Sequence, residues 1–258
     1  MIGVIYFIVI LFACILGAIV GLGGGVFIRP IFDTIGYHEM ADIQFYSSVA
    51  ILCMAIVSTY KKLQDGTEID KMKVILISAG AIIGGMLGDL VLQQIMYRAQ
   101  TESGAQTVQA ISTVVVLSAS LVLTAKSELR CEVKRKRLSF LFGIFLGAIA
   151  VFLGIGGGPI NVPILMIFFG LPIKPAAAYS IVIIFFSHLS RLVTIGATVG
   201  FTPFDLTMLV FIIPAAVLGG LVGARFSKIL SDGAVKKLFM AAIAAVILLN
   251  IFNGIFVF

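Results

Sequence analysis

The chain has 258 residues, 60% of them hydrophobic and 12% charged, with a mean hydropathy of +1.18. Soluble domains carry about 25% charged residues, so this composition excludes a water-soluble globular fold. Apolar runs of ~20 residues recur, each long enough to cross hydrocarbon as a helix. The formal net charge of +6 collects in loops, as membrane orientation requires, and does not indicate a nucleic-acid partner.

The first half offers apolar helices at 2–20, a short piece at 26–36, and further helices at 43–60, 72–95 and 107–125. Residues 1–6 contain no Lys or Arg, so the opening run lacks the basic start of a secretory signal and reads as a retained helix. A basic segment, 126–137, precedes a second series at 138–153, a short piece at 159–170, 176–195, 204–226 and 236–258. Three cysteines, Cys14 and Cys53 in apolar segments and Cys131 in the basic one, form neither a disulfide framework nor a metal-ligand pattern. No metal or cofactor is expected.

The two series read as copies of one unit. Gly21-Leu-Gly-Gly-Gly25 leads to Pro30, and Gly154-Ile-Gly-Gly-Gly158 leads to Pro163, both at an offset of 133 residues. Tyr46-Ser47 falls on Tyr179-Ser180 at the same offset, while Asp70 falls on Asp205 and Gly84-Gly85 on Gly219-Gly220 at 135. Several matches in order favour duplication over chance. The expected fold is therefore an all-α polytopic membrane protein of two homologous repeats. Each has a Gly-broken or re-entrant helix followed by three transmembrane helices. Residues 1–125 form the first repeat, 126–137 a basic cytoplasmic linker and 138–258 the second repeat.

Charge decides between parallel and inverted copies. Eight simple spans would place 11 Lys and Arg inside and 7 outside; a broken segment that flips the second copy gives 15 inside and 3 outside. The second split obeys the positive-inside rule better, so inverted repeats with both termini outside are expected.

Helices broken at matching positions are the best sequence pointer to a transport site. Gly21, Pro30, Gly154 and Pro163 are read as the structural breaks. Glycine lets other groups approach the backbone closely, and freed N–H groups in a bilayer need protein, water or a ligand. The amides of Gly23, Gly24, Gly25, Gly156, Gly157 and Gly158 then form an anion nest at two helix starts. Close helix packing is the competing reading, and it is preferred for the four-residue spacing of Gly80, Gly84 and Gly88. Neither cluster completes a nucleotide-binding G-x-G-x-x-G, because Val26 and Pro159 fill the last position.

Polar residues inside apolar segments are costly and usually face a cavity or a partner. Tyr46, Ser47, Tyr179 and Ser180 are candidate oxyanion donors, although Ser can also bond its own helix. Asn161 follows the second glycine cluster; its counterpart is Ile28, so an asymmetric site is expected. Arg191 either opposes an anionic substrate or snorkels to the interface. His188, three residues earlier, either carries a coupling proton or is a hydrogen-bonded interior histidine. Asp33 and Asp89 either bind protons, pair with Arg29, or lie near segment ends.

With these residues in view, the chain resembles the TauE/SafE sulfite exporter family, also called the toluene-sulfonate uptake permease (TSUP) family. The likeness rests on the paired glycine clusters with Pro30 and Pro163, the small-residue helices around Gly84 and Gly219, and the duplicated organisation. It implies an inner-membrane, multi-pass carrier of small sulfur-containing anions such as sulfite or sulfoacetate, usually described with seven to eight spans. The expected function is secondary transport by alternating access, not catalysis; an anion channel with the same glycine nest is the alternative. Expected partners are the small sulfur-containing anion, the lipid bilayer, H+ or Na+ as coupling ion and, in a homodimer, a second copy.

Overall fold

A computed structural model describes residues 2–64, 70–99, 102–126 and 136–256. Most of the basic linker, with Cys131, lies outside the described residues. The described residues form ten α-helices and no strand: α1 Ile2–Val20, α2 Gly25–Ile35, α3 Met40–Gln64, α4 Lys71–Ala99, α5 Glu102–Ala125, α6 Lys136–Leu153, α7 Gly158–Phe168, α8 Ile173–Thr198, α9 Leu209–Ile229 and α10 Asp232–Phe256. Seven of these are long and apolar enough to cross a membrane; α6 and α7 fall short, as does α2. Large apolar side chains such as Val210, Ile229 and Leu248 are about 70% exposed, the surface expected of helices solvated by lipid rather than water.

The short helices fold back on the helices before them. Tyr6 of α1 stacks on Phe32 of α2, with ring centroids 3.7 Å apart, and its hydroxyl bonds to His38 just past α2 at 2.8 Å. The chain thus returns to the end of the bundle where α1 began, here the N-terminal end. Phe142 of α6 meets Phe168 and Phe169 at the end of α7 in the same manner, so α6 and α7 form a second hairpin, rooted at the opposite, linker end.

Seams of small residues fix the direction of the long helices. Gly219 lies against Leu11 and Cys14, and Gly223 against Ile15 and Ala18, so α1 and α9 run the same way. Gly80, Gly84 and Gly88 lie against Phe140, Ile144 and Ala148 in turn, so α4 and α6 do too. Such glycines let backbones touch, which is the main source of helix cohesion where lipid removes the hydrophobic drive. Helix α3 follows α9, through Ser58 to the Gly220 carbonyl at 3.2 Å and Lys62 to Ser227 at 3.4 Å. Helix α8 follows α4, with Ser187 against Gly85 and Arg191 beside Asp89. Facing each other, α3 and α8 are antiparallel: Gln44 meets Arg191, while Ile56, Tyr60 and Leu63 line one cleft with Val182 and Phe185. Helices α1, α3 and α9 therefore point one way and α4, α6 and α8 the other.

Two loop contacts cross between the halves. Tyr46 of α3 donates to the Asp205 carbonyl at 3.1 Å, and the Asp70 amide donates to Tyr179 of α8 at 2.7 Å. Both aspartates also cap the helix that follows. Asp70 accepts from the Met72 and Lys73 amides, and Asp205 from the Thr207 amide and hydroxyl. The Thr207 bonds hold the Asp205 carboxyl below the usual carboxylate range.

Candidate functional site

The glycine clusters are where both hairpins turn. Gly21, Gly23, Gly154, Gly156 and Gly157 have φ between 65° and 88°, a left-handed conformation that side chains with a Cβ avoid. Every residue of 21–25 and 154–158 is buried. The two turns lie back to back: a Cβ added to Gly23 would stand 3.7 Å from Gly156 Cα, and one on Gly25 3.1 Å from the Ile155 carbonyl carbon. A Cβ on Gly158 would overlap the Leu22 backbone. Contact this close is possible only because at least one partner in each pair is a glycine.

Helices α2 and α7 both start at this meeting point, at Gly25 and Gly158, and neither has a side-chain cap. The first N–H groups of a helix have no intrahelical acceptor, and the helix dipole adds positive potential there. Two such ends converge on one buried place. Pro159 occupies the first turn of α7, where its missing N–H costs nothing.

Helices run straight through Pro30 and Pro163, which lie inside α2 and α7; the glycines alone make the breaks. Proline strips one hydrogen bond from the carbonyl four residues earlier. For Pro163 that carbonyl belongs to Pro159, and Ser120 of α5 donates to it instead. Around Pro30 the neighbouring carbonyl, its own, accepts from Asn253 of α10 at 2.7 Å and from Thr34 at 2.7 Å. Each half's last helix thereby braces the other half's short helix.

Several predicted donors gather here with unspent hydrogen bonds. Asn161, one turn into α7, is fully buried and neither amide atom has a partner. The Ser47 hydroxyl, 3.0 Å from a Cβ placed on Gly25, also lacks one. Both ring nitrogens of His188 are buried without a partner. Orphaned buried polar atoms are rare in native proteins; Ser47 stands beside the start of α2 and Asn161 in the first turns of α7, while His188 lies on α8 one turn beyond Ile184, whose side chain packs at Gly23. Ser180 lies at the break as well, but its proton goes to the Gly21 carbonyl at 2.7 Å. Tyr46 and Tyr179 are instead held at the loop contacts with Asp205 and Asp70.

A buried charge network lies beside these groups. Arg191 pairs with Asp89, Nε to Oδ1 at 3.4 Å, and donates to Gln44 of α3. Gln44 donates to Gln109 of α5 at 3.4 Å, and Gln109 also accepts from Arg29. Arg29 pairs with Asp33, Nε to Oδ2 at 3.6 Å, and its Nη1 donates to the Leu153 carbonyl at 2.7 Å. Gln109 gives its own amide proton to the Phe152 carbonyl at 2.6 Å. Arg29 and Gln109 thus cap the negative end of α6, and Arg29 of the first hairpin clasps the second. All four charged side chains are less than a tenth exposed. Asp33, in the last turn of α2, and Asp89, in the middle of α4, are therefore both ion-pair partners inside the bundle. Gln44 and Gln109, which join the pairs, escaped the sequence reading because both sit near predicted helix starts, where a polar residue is unremarked.

Two helical hairpins entering from opposite ends, with glycine turns touching amid buried polar groups, define a multi-pass membrane protein. Residues 6–249 match the family described as Sulfite exporter TauE/SafE, and the chain belongs to that family of membrane transporters. It is similar to "Probable membrane transporter protein MamO" of Paramagnetospirillum magneticum, 24% identical over 271 aligned positions that cover 92% of this chain and 42% of the relative. The protein of that name from Magnetospirillum gryphiswaldense is 29% identical over 113 residues, covering 42% of this chain and 18% of its own length. The chain thus spans less than half the length of these curated relatives. No solved structure matches.

Proposed function

We propose that the chain is a secondary transporter of a small sulfur-containing anion, sulfite or an organosulfonate such as sulfoacetate. The anion sits where α2 and α7 begin, on the amides of Gly23–Gly25 and Gly156–Gly158, with Asn161 and Ser47 completing its shell. His188 and Arg191 border the same space. The observation that carries this reading is Asn161, whose two amide atoms are buried and unpartnered beside two converging helix starts.

Opposed helix directions in corresponding positions, α1 against α6, α3 against α8 and α4 against α9, support two inverted copies of one unit. Alternating access follows as one copy rocks against the other about the touching turns. The linker end carries most of the Lys and Arg and faces the cytoplasm of an inner membrane. The arginines of the network are already matched by Asp33 and Asp89, so a coupling H+ or Na+ has carboxylates at hand beside the anion.

The test is uptake of radiolabelled sulfite and sulfoacetate into proteoliposomes. Wild-type flux should saturate. Asn161→Ala should raise KM roughly ten- to a hundredfold, the loss of one hydrogen bond to a charged group, about 1.5–3 kcal/mol. An unchanged KM overturns the assigned site, and flux that never saturates overturns the carrier in favour of a channel.

A further inference from the structure

Among the described residues, one buried cation stands outside the network. Lys62, in the last turn of α3 at the linker end, is only 7% exposed. No carboxylate among the described residues lies within ion-pair reach of it, and its partner is the Ser227 hydroxyl of α9 at 3.4 Å. Ser227 in turn donates to the Ile19 carbonyl at 3.1 Å, one residue before α1 ends. A second cation lies close by: Lys174 at the start of α8 donates at 3.5 Å to the carbonyl of Lys228, the residue after Ser227, and stands 3.9 Å from Asp232.

An ammonium withdrawn from water without a counter-ion costs several kcal/mol, and an intramembrane ionisable side chain marks a functional position unless a partner explains it. An ammonium has three donors, and Ser227 takes one. A neighbouring cation raises the cost of leaving the rest empty, and a bound anion would lower it for both.

We infer that Lys62, with Lys174 and Ser227, forms a second anion site at the linker end, beside the C-terminal end of α1 and one step from the Gly21 turn. It takes a small oxyanion of the sulfate class. As a binding site it stands alone; as a waiting station on the transport route it rests on the function proposed above.

Thermal unfolding of the purified full chain, titrated with sodium sulfate against sodium gluconate at matched ionic strength, tests it. Wild type, Lys62→Arg and Asn161→Leu should show a saturable rise in Tm, and Lys62→Met should show none. Without sulfate, Lys62→Met should melt no lower than wild type, because an uncompensated charge has been removed. Lys174→Gln, which leaves the buried core untouched, should weaken the apparent sulfate affinity roughly two- to fivefold, the size of one partly exposed ion pair. A full response in Lys62→Met, an unaltered affinity in Lys174→Gln, or no response in wild type overturns the second site. Loss of the response in Asn161→Leu alone places sulfate at the glycine turns, which overturns this site and leaves the transport reading standing.

Discussion

Arg191 and Asp89 show what a single side chain does in this interior. Removing one partner of a buried pair strands the other, at a cost of about 3–5 kcal/mol, whereas replacing both with apolar groups is often neutral. Arg191→Met should therefore destabilise the protein by about that amount in denaturant unfolding, and Asp89→Leu with Arg191→Met should recover most of the loss. Equal destabilisation by the single and double changes would mean the pair contributes nothing as a pair. Arg191, Asp33 and Asp89 were visible in the sequence as costly charges in apolar runs; the local pairing of Asp33 with Arg29 was legible too, but that of Asp89 with Arg191 was not. Asp89 finds Arg191 across 102 residues of chain, and no local spacing encodes such a meeting.

Helices and their seams were far more legible. Long apolar runs predict α3, α4, α5, α8, α9 and α10 because bilayer thickness fixes their length, and the glycine runs predict the two turns because little else tolerates them. The four-residue glycine spacing predicts tight crossings, and α4 does lie against α6 along that stripe. What spacing could not supply was the partner: α4 packs on α6 and α9 on α1, each across the halves. Gly84→Val should push α4 from the Ile144 carbonyl and cost about 1–3 kcal/mol by overpacking. Gly254→Ala in α10, where an added Cβ meets nothing within 4 Å, should stabilise by about 0.5–1 kcal/mol through helix propensity. Thermal unfolding of the two variants reads the contrast directly. Proline was the less dependable signal: Pro30 and Pro163 follow the breaks without making them, and at Pro163 a neighbouring helix supplies the missing donor.

The arrangement of the whole chain rests on helix direction, which labelling can read. Tyr37 is 63% exposed at the N-terminal end and Ile229 is 74% exposed at the linker end. Single cysteines placed there, in a variant lacking Cys14, Cys53 and Cys131, should react with a membrane-impermeant thiol reagent from opposite faces of the membrane. Eight simple spans would put both on the same face, so labelling of both from outside would refute the opposed hairpins. An evenly built frame here carries unevenly distributed chemistry: Asn161 answers to Ile28, Arg29 to Val162, and Arg191 to Ser58. The clasp of Arg29 on the end of α6 has no twin at α1, where the neutral Ser227 donates to the Ile19 carbonyl. On the alternating access proposed above, nothing in so uneven a molecule forces the inward- and outward-open forms to equal energy, and unequal forms would load faster from one side than the other: a rectifying bias that Arg29→Lys, compared with wild type for influx against efflux in proteoliposomes, would change.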